Sequence, residues 1–536
     1  MANNQQLELH WIGKDKPIAI EPRILIENPK LSFKESSISI IESNDIFDNI
    51  LIHGDNLLAL KALEKKFAGK VKCIFIDPPY NTGSAFEHYD DNLEHSIWLN
   101  LMTQRLYILK NLLTEDGTIW IILDDSEVHY LKVVCDELWG RNNFISDITW
   151  NSRKSVSNDA IISMNTNHIL VCATNADTIR QKAKKGELFK GPIDETKFSN
   201  PDNDPRGKWV ADPFDAPNIR PNLTYPVVNP NTGVEYWPPK GRCWRTTLDN
   251  YKEALADNRI VFGKTGKSKP QLKRFLSECS DKGSVLTNLW NDLDTTTNAT
   301  KHSQQLFNKP FTNPKPEDLV ARCIELATKP GDIVFDSFLG SGTTSAVAHK
   351  LHRRWIGIEM GDQAYDYCKV RMDLVIKNQD MGGITKVSSW KGGGGYKFYE
   401  LAPTLINIDS LGEAIINKQY SPDMLASAVA LHEGFEYCPD QNCFWKQSKS
   451  TENAYLYVTT NHVDLSFLKT IERQLSDTDY LLVACKSFDS ACQNFDKRIK
   501  IKKIPQMLLG RCEFNKNNYD LNIINPPVYE EEDEDE

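Results

Sequence analysis

The feature that most narrows what this chain can fold into is an alternation. Strand-length apolar runs and segments of helical spacing follow one another from residue 46 to Trp150, and again from Pro314 to about residue 399. Val71-Lys-Cys-Ile-Phe-Ile76 and Gly117-Thr-Ile-Trp-Ile-Ile-Leu123 are short apolar runs, and residues 96–113 between them carry apolar side chains at helical spacing. The second stretch predicts a helix over 317–328, a strand over 332–335, a helix over 343–351 and a strand over 354–358. Strands with little polar alternation, separated by amphipathic helices, describe a mainly parallel sheet with helices on both faces, an α/β fold.

Residues 151–310 interrupt that pattern. Ten of the chain's 26 prolines lie between Pro192 and Pro239, and residues 180–290 hold 20 Lys or Arg against 13 Asp or Glu. The whole chain carries a net −10, so this basic core forms a separate, loop-rich module in an acidic protein. Residues 1–45 read as a polar N-terminal arm. Lys391-Gly-Gly-Gly-Gly-Tyr396 reads as a boundary turn or hinge, residues 400–529 as a further globular segment, and Glu530–Glu536 as a disordered acidic tail.

No apolar run approaches the ~18 residues of a membrane span, and the N-terminus lacks the pattern of a signal peptide. Twelve cysteines are scattered, many within apolar runs, which suits buried thiols in a reducing cytoplasm. Cys438 and Cys443 form one pair where structural zinc wants four ligands, and Asp124, Asp125 and Glu127 read as a capped helix start. No metal is expected.

Two motifs end apolar strands. Asp77-Pro78-Pro79-Tyr80 follows the first run directly. The prolines fix φ and remove two N–H donors, so a carboxylate and an outward carbonyl can accept both hydrogens of an exocyclic amine, while Tyr80 offers a face for a planar base. The alternative is a turn that merely ends the strand. Asp336-Ser-Phe338-Leu-Gly340-Ser-Gly342 stands at a second strand-to-helix turn, and Glu359 ends the next strand. The turn lacks both the lysine of a phosphate-binding loop and the full dinucleotide glycine spacing, so a nucleoside cofactor without a pyrophosphate fits best.

With both motifs in this order, the sequence resembles the amino-group DNA methyltransferases of the permuted β class. His53-Gly-Asp55-Asn56, Pro79-Tyr-Asn81-Thr-Gly83, His95-Ser-Ile-Trp98, Pro205-Arg-Gly-Lys-Trp209, Tyr236-Trp-Pro-Pro-Lys-Gly-Arg-Cys-Trp244 and Trp390-Lys-Gly-Gly-Gly-Gly-Tyr396 are similar to Mod subunits of Type III restriction–modification systems. The resemblance implies a Rossmann-like, S-adenosylmethionine-dependent fold. Its catalytic half would be 46–150, its target-recognition domain 151–310, its cofactor-binding half 311–399, and its C-terminal domain would serve self-association.

It further implies N6 methylation of adenine in double-stranded DNA after base flipping, with Asp77, Pro78, Pro79 and Tyr80 catalytic. Asp55, Asp336, Phe338, Gly340, Gly342 and Glu359 would bind S-adenosylmethionine, and Arg206, Arg242 and Arg245 would contact DNA. Asn313-Pro-Lys315-Pro-Glu317 resembles the segment that packs beside the cofactor. A homodimer, a restriction nuclease partner, and a prokaryotic, nucleoid-associated cytoplasmic location are implied as well. The alternatives are cytosine N4 methylation, or a specificity subunit that acts mainly by binding DNA. The sequence departs from the family in Ser337 and Leu339, where proline and alanine are commoner. Ile524-Asn-Pro-Pro-Val528 is a decoy of the first motif.

Overall fold

The computed structural model describes residues 8–15, 20–34, 46–80, 95–156, 160–263, 265–279, 283–451, 453–510, 512 and 514. Asn81, Gly83, the string Ile524 to Val528 and the tail Glu530–Glu536 lie outside them. The chain divides into two compact units, Ile179–Thr287 and the remainder.

The larger unit is built on a mixed sheet. Its strands and helices run β1 (Asn49–His53), α1 (Asn56–Phe67), β2 (Val71–Ile76), α2 (His95–Leu112), β3 (Leu113–Leu123), α3 (Val128–Trp139), β4 (Phe144–Asn151) and β5 (Thr166–Ala173). After the second unit come β6 (Leu289–Trp290), α4 (Glu317–Ala327), β7 (Ile333–Asp336), α5 (Thr343–Lys350), β8 (Arg354–Glu359), α6 (Val370–Ile376) and β9 (Gly395–Leu401). Across the sheet the order is β9-β1-β8-β7-β2-β3-β5-β4-β6. From β9 to β3 every pairing is parallel, and β5 is antiparallel to both its neighbours.

All six residues of β2 and all four of β7 are buried, as expected for strands covered on both faces. β7 is followed by α5 and β8 on one side, whereas β2 is followed by α2 and β3 on the other. The chain therefore turns away in opposite directions from this adjacent pair, which makes the crevice at their carboxyl ends the topological switch point where open α/β sheets bind ligands. Val334 pairs with Cys73 and Phe335 with Ile74, so the ends of the two motif strands lie side by side.

Two expectations change. The glycine run is not a boundary: Gly395 already belongs to β9, which pairs in parallel with β1 inside the main sheet. The N-terminal arm is partly ordered as well, because Leu25–Glu27 pairs antiparallel with Tyr399, Glu400 and Leu401 and covers that edge.

Beyond β9, the helix Pro422–Glu433 packs on a five-stranded sheet whose long strands are Ala454–Val463, Tyr480–Phe488 and Ile499–Lys503. The apolar run from Tyr480 to Ala484 is an inner strand of that sheet, with Leu481, Val483 and Ala484 buried, Leu482 half-buried and Tyr480 exposed.

Ile179–Thr287 folds around Phe214, Tyr225, Trp244, Tyr251 and Phe262 with short antiparallel strands. Its entry and exit meet at Gly191 and Ser284, each of which donates its N–H to the other's carbonyl at 2.9 Å. The flanking residues 151–178 and 288–310, grouped with this module in the sequence, belong to the larger unit.

Candidate active site

Asp77 leaves β2 at the switch point. Buried Trp98 of α2 donates its indole N–H to the Pro79 carbonyl at 2.6 Å and pins the proline turn against the helix. Tyr80 Oη donates to Asp77 Oδ1 at 2.7 Å. Lys315 Nζ pairs with Oδ2 of the same carboxylate, and the ammonium lies 5.1 Å from the centre of the Tyr80 ring. Lys315 and Asp77 are 238 residues apart in sequence.

Asp336 closes β7 beside them and is buried. Burial pushes its carboxyl up to about 7, and the nearby Asp77 and Glu359 add to the rise. Two hydrogen bonds oppose it: Thr344 Oγ1 donates to Oδ2 at 2.6 Å and the Phe338 N–H to Oδ1 at 2.8 Å. The turn that follows has Gly340 at φ +55° and Gly342 at φ +77°, the left-handed region that favours glycine. A Cβ on Gly342 would also stand 3.2 Å from the Cys368 Cα. Gly340 donates its N–H to Glu359 Oε2 at 2.6 Å, which ties the turn to the end of β8.

A cavity opens here, lined by Phe75, Phe311 and Phe338, by Asp77, Asp336 and Lys315, and by Gly340 and Ser341. Aromatic walls, a surplus of carboxylates and a close-approach glycine turn suit a flat, cationic nucleoside and disfavour a polyphosphate. S-adenosylmethionine fits that donor set. Of the residues expected to border it, Asp336, Phe338 and Gly340 line the cavity, Gly342 caps α5 behind it, and Glu359 reaches it through the Gly340 amide. Asp55 does not line it. It caps α1 by accepting the Leu58 N–H at 3.0 Å and faces the buried Arg105 at 3.6 Å. Its neighbour Asn56 donates to the Ser337 carbonyl at 2.7 Å, so this corner supports the cofactor turn from below.

A buried charge network braces the same region. Glu317, the first residue of α4, accepts from Lys350 Nζ at 2.9 and 2.8 Å, from Arg371 at 2.8 Å and from the Ile384 N–H at 2.9 Å. Burial alone would raise its carboxyl, but Lys350 and Arg371 hold it below the ordinary value. Arg371 continues to Thr343 Oγ1 at 2.8 Å, so the segment carrying Lys315 and the glycine turn share one anchor. His302, Glu317 and Asp380 are close enough to share a cation, yet Lys350 and Arg371 already supply the positive charge at that cluster.

In the smaller unit, the three arginines expected to meet DNA all have carboxylate partners. Arg206 gives Nε and Nη2 to Asp204 and Nη1 to Asp257, and stacks 4.5 Å over Phe275. Arg242 pairs with buried Asp215, and Arg245, more exposed, reaches Asp212 at 3.8 Å. The buried Lys273 bridges Asp202 and Asp204. Arg220, Lys240 and Lys267 are exposed and have no acidic partner among the described residues.

Sequence reasoning missed the hold of Lys315 on Asp77 and the anchoring role of Arg371. The Asn313-Pro-Lys-Pro string was the only signal for the first, and nothing local marks the second.

A strand-end carboxylate thus stands beside a glycine turn at the switch point of the α/β sheet. The chain belongs to the N6/N4 DNA methylase family, whose model matches residues 71–370. It is 31% identical to the probable type III restriction-modification enzyme HindVI Mod subunit of Haemophilus influenzae, over 66% of this chain and 54% of that protein. It is 29% identical to the type III restriction-modification enzyme StyLTI Mod subunit of Salmonella typhimurium, over 68% of this chain and 59% of that one. The chain thus spans little more than half the length of these relatives. Among solved structures, the PvuII DNA methyltransferase (cytosine-N4-specific) aligns at a TM-score of 0.34 and 14% identity, covering 65% of this chain and 96% of that one.

Proposed function

We propose that this chain is an S-adenosylmethionine-dependent DNA methyltransferase acting on the exocyclic N6 amine of adenine in duplex DNA. In this reading it is the modification and specificity subunit of a Type III-like restriction–modification system. The observation that carries the reading is the meeting of Asp77 and the Gly340 turn in one cavity. The Asp77 carboxylate and the Pro78 carbonyl accept the two amine hydrogens, which aims the nitrogen lone pair into the cavity. Pro79, pinned by Trp98, fixes the turn, and Tyr80 stacks on the base. When bound, S-adenosylmethionine would supply an electrophilic methyl group whose bond to the sulfonium sulfur breaks to leave a neutral thioether, and the amine nitrogen that takes the methyl loses a proton to water.

Phe338, Gly340 and Gly342 border the cofactor, Glu359 holds its ribose, Asp336 favours its cationic end, and Asp55 acts only from behind the cavity, through the cap of α1. Asp77 stabilises the positive charge that develops on the amine, an interaction strongest in the transition state. A base inside a duplex cannot reach such a cavity, so the nucleotide must be extruded. The unit 179–287 reads the site, with Arg220, Lys240 and Lys267 on phosphates and Arg245 at the groove. Self-association, a nuclease partner and a place at the nucleoid in the bacterial cytoplasm complete the reading. Among the described residues, no helix is long and apolar enough to cross a membrane.

The test is mass spectrometry of nucleosides from duplex DNA incubated with the chain and S-adenosylmethionine. N6-methyladenine is expected from the native chain, and Asp77→Ala should lose about a thousandfold in rate with cofactor affinity retained. N4-methylcytosine would reassign the base. Near-native turnover by folded Asp77→Ala would overturn the site.

A further inference from the structure

We propose that Lys315 is a positioning residue that guards Asp77, occupying the place of the target base until the exocyclic amine displaces it. The inference rests on the methyltransferase reading above and deepens it. One ammonium occupies both features that would receive the base: it pairs with Asp77 Oδ2 and lies 5.1 Å from the centre of the Tyr80 ring. Tyr80 Oη takes Oδ1 at 2.7 Å, so each oxygen of the carboxylate already has a donor.

The contact is sheltered. The Lys315 side chain is 10% exposed and that of Asp77 26%, so water competes weakly for either. Pro314 and Pro316 hold the backbone on both sides, and buried Glu317 anchors the next residue. Any exchange is therefore a rotation of the four-carbon side chain, not a movement of the loop.

Exchange is also demanded by charge. The amine nitrogen becomes more positive as it gains a methyl group, and an ammonium kept on the same carboxylate would oppose that change. Lys315 must withdraw before reaction. A base with an exocyclic amine replaces one donor by another, whereas a base without one leaves Asp77 short of a donor when the lysine departs. The exchange thus favours amine-bearing bases before any chemistry occurs.

The experiment compares the full-length chain with Lys315→Met, Lys315→Gln and Lys315→Arg, each checked for an unchanged melting temperature. Methyl transfer is measured on the cognate duplex, and base extrusion by fluorescence of 2-aminopurine, which has no amine at position 6, placed at the target. Lys315→Met should lower the KM for DNA about fivefold, because the competent site is no longer masked, and the gain should fall on KM more than on kcat. Its 2-aminopurine signal should exceed that of the native chain, Lys315→Arg should stay native-like, and Lys315→Gln should fall between. Unchanged KM and fluorescence in Lys315→Met, or parallel losses in kcat and affinity, would overturn the guard. Absence of methylation by the native chain on any duplex would instead overturn the methyltransferase reading, and the guard with it.

Discussion

Glu317→Ala tests whether the buried network behind the cavity holds the fold and the cofactor turn together. The substitution removes the acceptor of two Lys350 contacts, one Arg371 contact and one backbone N–H. Lys350 keeps Asp380 at 2.7 Å and Arg371 keeps the Thr343 hydroxyl at 2.8 Å, so neither cation is wholly abandoned. The interior nevertheless loses one negative charge from a cluster in which Lys350 and Glu317 are fully buried. Breaking a buried pair from one side costs about 3–5 kcal/mol, and the surviving partners place this case near ~4 kcal/mol. Spread over the unfolding entropy of a unit of this size, that is a fall of about 5 °C in melting temperature.

Scanning calorimetry of the full-length chain at pH 7 measures it, with Glu317→Gln, which keeps the shape and one acceptor, losing less. The sign of the pH dependence follows from the depressed Glu317 and Asp380 carboxyls, where Lys350 and other cations outweigh burial. Their stabilisation is complete above the ordinary carboxylate values of 4.5 and 3.8 and fades as pH falls through the lower folded values. The deficit of Glu317→Ala should therefore shrink on acidification below about pH 4. A melting temperature within about 1 °C of the native chain at pH 7 would refute the network as a structural anchor.

Asp336 makes the opposite prediction. Burial lifts its carboxyl to about 7, so its contribution to stability declines as pH rises from its ordinary 3.8 toward 7. A cationic ligand in the cavity favours the ionised form, so affinity for S-adenosylmethionine should rise between pH 6 and 8 and binding should release a proton; titration calorimetry in buffers of different ionisation enthalpy reads both, and Asp336→Asn should abolish the dependence. Gly342→Ala places a side chain at φ +77° and 3.2 Å from Cys368 Cα, and should cost about 1–2 kcal/mol, read as lowered thermal stability together with weaker cofactor binding. Native values for that variant would mean the turn has room to relax.

The parts of this fold legible in the sequence are those whose cause is local. β2 and β7 are short, mainly apolar runs because both faces are covered, and an aspartate marks each carboxyl end, Asp77 directly after β2 and Asp336 as the last residue of β7. β9 was hidden because three glycines precede it, a fourth opens it, and its strand character comes from pairing with β1. Acidic partners of Arg206 and Arg242 were hidden for a related reason. Asp257, 51 residues from Arg206, and Asp215, 27 from Arg242, become partners only when short strands fold together. Lys315 and Asp77 meet only across the switch point, where no periodicity in either segment announces the other.

The closed neck of the smaller unit bears on how such a protein is inherited. Gly191 and Ser284 are joined by a reciprocal pair of hydrogen bonds, so the intervening chain leaves and returns at a single step. Its principal aromatic core, from Phe214 to Phe262, lies wholly inside that span. A gene-conversion tract with endpoints near these two codons transfers a complete core with its own struts, Asp204 with Arg206 and Asp215 with Arg242 included. A tract that ends between Tyr225 and Tyr251 instead joins half of one aromatic cluster to half of another, and its product must survive mismatched packing. Lineages should therefore show recombination endpoints gathered at the neck, with allelic diversity concentrated between them and the surrounding reading frame descending almost unchanged.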